Sequence, residues 1–267
     1  MVKELPPSAA SMIMALRAFG YTPESAIADI IDNSIKANAK NIDFQTYDGG
    51  IDKAKNYVSI CDDGDGLNDN EIVEKAMPWG AKDELREEKD LGKFGFGLKS
   101  ASLSQCKKLT VISKGSQGKI KHYTWDVDHV QTHDKWEITD DYSNSFQPHF
   151  DRLDKMKSGT VILWQNLDRL YEAENYDKKW QHRILGKVRN RAKAHISMIF
   201  HKYADAINFT LQGNLFPIKP WSPFYEDHMH TIASPSQKIQ YKGSTTLVQS
   251  FILPEEKYFL DEEFSRF

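Results

Sequence analysis

The chain has 267 residues, 40% hydrophobic and 27% charged, with a formal net charge of −3. That balance argues against a disordered or fibrous chain and against a strongly basic nucleic-acid glove, and the length allows one large domain or two modest ones around a real hydrophobic core. Cys61 and Cys106 make no disulfide scaffold or metal pair and fit a reducing, cytoplasmic setting, while no apolar run reaches the length of a membrane span.

In chain order, residues 8–19 read as a short helix with Met12, Leu16 and Phe19 along one side. Thr22-Pro23 starts a longer helix, because a capping hydroxyl precedes a proline whose fixed φ suits the first helical position. Ile27, Ile30, Ile31 and Ile35 recur along it at helical spacing. Ile42, Phe44 and Thr46 alternate as in a strand, Asp48-Gly49-Gly50 reads as a turn, and a second strand at 57–61 runs into Asp62-Asp63-Gly64-Asp65-Gly66. A helix is expected near 70–76, a highly charged, mobile loop at 82–93, and a helix at 98–106 directly after a run of glycines. Strands are expected at 109–113, 120–125 and 160–164, and a long helix at about 176–204. Two short strands are expected around Gln212-Gly213-Asn214, where Pro217, Pro220 and Pro223 mark a change in composition. The domain boundary is placed near Asp205, giving domains of residues 1–205 and 206–267. Residues 253–267 do not end like a finished domain, which points to a fragment.

Asp29 and Asn33 are four residues apart on the second helix, on the face roughly opposite its isoleucines. An amide oxygen at Asn33 can ligate Mg²⁺, which prefers oxygen donors, and a carboxylate one turn away can orient or deprotonate water. The solvated face of an amphipathic helix is the alternative. Asp62 ends a strand, followed by Gly64 and Gly66, which permit a tight turn and close approach of a flat ligand. There it can accept a hydrogen bond from an exocyclic amine such as adenine's; an ordinary acidic turn is the alternative. The full EF-hand spacing is absent, since no Glu stands at its last position.

Gly92-Lys93-Phe94-Gly95-Phe96-Gly97-Leu98-Lys99-Ser100 brings three glycines to a helix start, where backbone N–H groups and the helix dipole make a phosphate cradle. The order G-x-x-G-x-G is neither the Rossmann fingerprint nor a Walker loop, and a plain glycine-rich loop is the alternative. Thr160 opens a strand after Ser158-Gly159, which strand propensity alone would explain. His228 and His230 lack further ligands at sensible spacing and read as a surface loop. The basic run Arg183, Lys187, Arg189, Arg191 and Lys193 reads as a solvated helix face, with phosphates of DNA as the alternative partner.

The order and spacing of these elements resemble the GHKL (Bergerat-fold) ATPases, the group of DNA gyrase, HtpG-type chaperones, histidine kinases and MutL. The resemblance is carried by Asp29-Ile30-Ile31-Asp32-Asn33-Ser34, Asp62-Asp63-Gly64-Asp65-Gly66, the glycine run from Gly92 to Ser100, and Gly159-Thr160. Trp79-Gly80-Ala81-Lys82 looks most like the MORC- and MutL-type members. The implied fold is α+β, a two-layer α/β sandwich, followed from about residue 208 by the start of a ribosomal-protein-like transducer domain. The implied cofactors are ATP and Mg²⁺. By the same resemblance Asn33 ligates the metal, Asp62 binds the adenine amine, Thr160 supports Asp62 through a shared water, and Gly64 and Gly66 shape the turn that admits the base. Gly92, Gly95 and Gly97 fold over the phosphates as a lid, with Lys93, Phe94, Phe96 and Leu98 in the same binding segment and Lys82 and Lys99 as phosphate contacts. Asp29 takes the place of the general base, where gyrase and MutL carry a glutamate one methylene longer. No residue is identified as the transducer lysine that such proteins direct to the γ-phosphate.

The implied activity is slow, Mg²⁺-dependent ATP hydrolysis, with lid closure and homodimerisation acting as a switch or clamp on a DNA or protein partner. Bacterial DNA transactions or antiviral defence would fit. A module that binds ATP without hydrolysing it is the main alternative, and a chaperone-like clamp is another. A histidine kinase ranks below them, because the first helix holds no histidine and His195 lacks the acidic neighbour of a phospho-acceptor box.

Overall fold

The computed structural model describes residues 3, 7–49, 55–80, 95–116, 118–172, 181–213, 218–241 and 243–259. Helix α1 (Ala9–Leu16) starts at Ser8, whose hydroxyl accepts the Ser11 N–H. It is shorter than the expected 8–19, and its inward stripe is Ala9, Ile13 and Arg17, while Met12 and Phe19 are exposed. The reason is Arg17, which is drawn inside because every contact it needs is there. Its Nε donates to Leu103 O at 2.7 Å, and its Nη2 donates to Cys106 O and pairs with Asp168 at 2.6 Å.

Helix α2 (Pro23–Lys36) begins as its sequence requires, with Thr22 Oγ1 accepting the Ser25 N–H and proline at the first position. It stops where Asn38 takes a left-handed φ of +62°. Ile27, Ile30 and Ile31 are at most 1% exposed, and each contributes about 2 kcal/mol by burial.

Strands β1 (Asn41–Tyr47), β2 (Tyr57–Asp62), β3 (Lys108–Lys114), β4 (Ile120–Asp126), β5 (Gly159–Gln165) and β6 (Asn208–Leu211) form one sheet in the order β4-β3-β5-β2-β1-β6. Within it, neighbours are antiparallel except β1 and β6. The two-residue period sorts the side chains. Phe44, Ile60, Val111, Ile162 and Trp164 face the main core, which α2 and α8 (Gln181–Ile199) cover with Ile27, Ile30, Leu185 and Ile196. Cys61, Ile112, Val161 and Leu163 face the other way, onto Phe146 and Leu153 around α6 (Gln147–Asp154). The architecture is the expected α+β sandwich of sheet and helices, with α6 added on the back of the sheet.

On that back face Asp43, 3% exposed, gathers three segments. It pairs with Arg152 of α6 at 2.6 Å and accepts from Thr210 Oγ1 of β6 and the Gly213 N–H. Burial alone would raise its pKa; the hydrogen bonds of Thr210 and Arg152, with the guanidinium charge, outweigh that and hold it below the ordinary value.

Of the pair of strands expected around 212, one is described, β6, and it joins the main sheet beside β1, while residues 214–217 lie outside the described residues. The sheet therefore runs past the boundary placed at Asp205. Beyond it, β7 (Ile232–Ala233) pairs with β10 (Phe251–Ile252), and β8 (Gln237–Tyr241) forms a hairpin with β9 (Ser244–Val248). Of the expected long helix at 176–204, the part at 176–180 lies outside the described residues, as does the charged loop at 82–93. Among the described residues, no helix is long and apolar enough to cross a membrane.

Candidate nucleotide-binding site

The end of β2 is built by an exchange of bonds with the turn that follows α2. Asp63 accepts from the Lys40 and Asn41 N–H groups and from Asn41 Nδ2, all within 2.8 Å. Asp65 Oδ2 accepts from Asn38 Nδ2 at 2.7 Å, and the Asp65 N–H donates to Ala37 O at 2.8 Å. Asp63 and Asp65 thus fasten the loop to the turn after α2, and Asp62 bonds to α2 itself through Ser34.

The two glycines explain how close these segments run. A Cβ on Gly64 would sit 2.6 Å from Ala37 O, and one on Gly66, where φ is +65°, would sit 2.1 Å from Lys114 O. The immediate reason for glycine at both positions is the approach of protein backbone.

Above this loop is a cavity of about 310 Å³. Its floor is a row across three strands: Asp62 stands opposite Thr160, and Thr160 opposite Ser113. Asp62 is 4% exposed, and its Oδ2 accepts from the Ser34 hydroxyl at 2.8 Å while Oδ1 accepts from the Gly64 N–H at 3.0 Å. Burial raises its pKa above the ordinary aspartate value against those two bonds and that of the Thr160 backbone N–H. Ser113 Oγ accepts the Leu67 N–H at 2.8 Å and lies 3.0 Å from Gly159 O and 2.8 Å from Thr160 Oγ1. Ser113 has one proton, so it either donates to Gly159 O and accepts from Thr160 or donates to Thr160. The Asp62 carboxylate makes this part of the floor an acceptor, suited to a ligand edge or water that donates. Ile30, Ala37, Leu67, Val111 and Ile162 provide apolar walls.

The other end is polar. Asn33 lines it from α2, and its side chain has no hydrogen-bond partner among the described residues. Gly95, Gly97, Leu98 and Lys99 line it from the start of α4 (Gly97–Leu103). Lys99 is 2% exposed and donates from Nζ to Ala76 O at 2.9 Å, so part of its capacity already ties α4 to the π-helical turn Ile72–Ala76. Lys36 and Lys75 also line the cavity, each paired with a carboxylate one turn earlier, Asp32 at 2.7 Å and Glu71 at 3.1 Å. A single amide oxygen at an open rim fits Mg²⁺, which commonly takes one or two protein ligands and fills the rest of its octahedron with phosphate oxygens and water.

Asn33, Asp62, Gly66, Gly95, Gly97, Leu98, Lys99 and Thr160 are thus brought to one cavity. Gly64 supports Asp62 from behind. Phe96 is not a lining residue; its ring packs on Trp79 at 5.9 Å. Asp29 is not one either: its Oδ2 accepts from the Tyr21 hydroxyl at 2.8 Å. Lys82, Gly92, Lys93 and Phe94 lie outside the described residues. Sequence reasoning gave no role to Ser34, Ser113, Lys36 or Lys75. The signal for Ser113 was present, since a hydroxyl stands on the same strand face as Leu109 and Val111. His228 offers no free ring nitrogen: Nδ1 accepts the His230 N–H at 3.2 Å and Nε2 contacts Tyr258 O at 3.2 Å.

A model of the histidine kinase-, DNA gyrase B-, and HSP90-like ATPases matches residues 21–160, more than half of the chain and all four motifs. Among curated proteins, the DNA mismatch repair protein MutL of Clostridium beijerinckii is 38% identical over 69 residues, 26% of this chain and 10% of that protein. MutL of Aquifex aeolicus is 30% identical over 122 residues, 44% of this chain and 27% of that protein. The putative MutL protein homolog 1 of Schizosaccharomyces pombe is 32% identical over 95 residues, 34% of this chain and 13% of that protein. The chain matches about a tenth to a quarter of the length of these relatives. With its motifs gathered at one cavity and the family model spanning them, this chain belongs to the histidine kinase-, DNA gyrase B-, and HSP90-like ATPase family.

Proposed function

We propose that the chain binds ATP with Mg²⁺ in this cavity and hydrolyses it slowly, and that the bound state associates two copies as a switch on a partner. The observation that carries this reading is the cavity's polarity: a buried acceptor, Asp62, at one end, and Asn33, Lys99 and the α4 N-terminus at the other. Asp62 would accept from the adenine amine, with Thr160 offering a second acceptor nearby. The triphosphate would lie toward Asn33 and the first turn of α4, since the N-terminal end of a helix favours anions. Mg²⁺, held by Asn33 and the phosphates, would neutralise charge on the transferred group. Asp29, one turn before Asn33, would orient the attacking water.

The partner reading follows the relatives, several of which are named as DNA mismatch repair proteins. DNA is therefore the first partner to try. We further propose that a second, transducer-like unit begins after Leu211, where the six-stranded sheet ends, and that the site operates in a cytoplasmic setting.

Calorimetric titration with ATP and a non-hydrolysable analogue, with and without Mg²⁺, tests the binding step. Phosphate release by wild type and Asp29→Asn tests hydrolysis. Light scattering with and without the analogue tests association. Absence of binding by any nucleotide would overturn the reading. One observation favours binding without turnover as a second reading: the short Asp29 side chain is held by Tyr21 and does not line the cavity. Tight, Mg²⁺-dependent binding with no phosphate release would select it.

A further inference from the structure

Tyr21 belongs to none of the four motifs, yet it is fixed at both ends. Its carbonyl accepts from Gln105 Nε2 at 3.0 Å, and Gln105 is itself 3% exposed, just past the end of α4. Its ring packs against the main core. Its hydroxyl donates to Asp29 Oδ2 at 2.8 Å and has the Ser100 hydroxyl of α4 as a neighbour. Burial, then the bond and charge of Asp29, raise the phenol's pKa, so it stays protonated and remains a donor.

An aspartate at this position reaches one methylene less far than a glutamate. A carboxylate on a short arm can aim at a water only if its plane is set, because it has less side-chain freedom with which to search. Here one oxygen, Oδ2, is tied to a phenol that is anchored to the core, and Oδ1 has no hydrogen-bond partner among the described residues. We propose that Tyr21 is a positioning residue that fixes the plane of the Asp29 carboxylate so that Oδ1 is presented to the attacking water. Tyr21 does not line the cavity; it acts through Asp29. Its position between α2 and Ser100 of α4 also sets the carboxylate relative to the helix that receives the phosphates. The inference rests on the hydrolytic reading given above.

The test compares wild type, Tyr21→Phe, Asp29→Asn and the double variant in steady-state phosphate release, nucleotide titration and thermal unfolding. Removing one hydrogen bond to a charged group should lower kcat about ten-fold in Tyr21→Phe. The nucleotide Kd and the unfolding temperature should stay near wild type, because the ring remains in place. The double variant should be no slower than Asp29→Asn alone, since the phenol has no other route to the chemistry. A Tyr21→Phe protein with wild-type kcat overturns the inference. So does a loss that appears equally in Kd and unfolding temperature and adds to that of Asp29→Asn, which would make Tyr21 a structural tie only. A wild type that binds ATP but releases no phosphate overturns the hydrolytic reading itself, and the role of Tyr21 with it.

Discussion

The Ser34 hydroxyl donates to Asp62 Oδ2 at 2.8 Å, linking the last turn of α2 to the last residue of β2. A carboxylate 4% exposed is held there by one hydroxyl and the backbone N–H groups of Gly64 and Thr160, without a cation among its hydrogen-bond partners in the described residues. Such a group carries a desolvation cost that a ligand donor can offset.

Asp62→Asn should therefore act with opposite signs on stability and on binding. The folded-state pKa of Asp62 is raised by burial. Its contribution to stability is then fully present below the ordinary aspartate value and is lost as pH rises through the elevated one. The neutral amide escapes that loss: its Oδ1 can still accept the Gly64 N–H, while Nδ2 takes the place of Oδ2 and donates to the Ser34 oxygen. Thermal melts should show the variant at least as stable as wild type at pH 7, with its advantage growing as pH rises through the acid range. The stabilisation of about 2.7 kcal/mol expected from nucleotide at 100 times Kd should vanish in the variant. A destabilised variant that keeps its nucleotide shift would contradict both halves.

Gly66→Ala places a Cβ 2.1 Å from Lys114 O at a φ of +65°. Neither backbone segment can yield without disturbing the β3 end of the sheet, so a loss of about 3 kcal/mol or more is expected in urea unfolding. Retained stability would show that the loop can move.

Asn33→Ala should leave the apo fold within about 0.5 kcal/mol of wild type, because the side chain is exposed. The effect should appear only with nucleotide: the Mg²⁺-dependent part of the binding free energy should fall, while the Mg²⁺-free part stays. A binding curve with unchanged Mg²⁺ dependence would remove Asn33 from the metal's ligands.

His149 should make the apo protein acid-labile. It is 4% exposed on the back of the sheet, its Nε2 has no hydrogen-bond partner among the described residues, and its ring meets Tyr57 edge-on at 5.2 Å. Burial, and then the Arg152 charge, lower its pKa from 6.5 to about 4. Its contribution is complete above pH 6.5 and is lost as pH falls toward about 4, for a total of roughly 3 kcal/mol. His149→Phe should unfold at similar urea at pH 7 and resist the fall between pH 6.5 and 4 better than wild type.

The elements with strong local signals were legible in the sequence. Thr22-Pro23 and the isoleucine spacing fixed α2, and the alternation around Phe44 and Ile60 fixed the sheet's face. The site was legible wherever a motif residue faces the cavity, as Asp62, Asn33 and Thr160 do. What could not be read depends on contacts distant in the chain. The inward side of α1 was set by Arg17 finding Leu103 O and Asp168 far along the sequence, which hydropathy alone reverses. β6 carries four residues and only an ordinary strand pattern; its place in the sheet comes from pairing with β1. Ser113 is a common strand residue until the Leu67 N–H and Thr160 meet it.

The parallel pairing of β6 with β1 has a mechanical side. Four residue pairs, Asn41 with Asn208 through Phe44 with Leu211, stand side by side, and Asp43 adds bonds to Thr210 and Gly213. Tension drawn along β6 loads those bonds in shear, so they must yield together instead of opening one at a time. β1 in turn lies against β2, whose last residue is Asp62. A pull on the chain past Leu211 is thereby delivered, through two rows of backbone bonds, to the floor of the cavity.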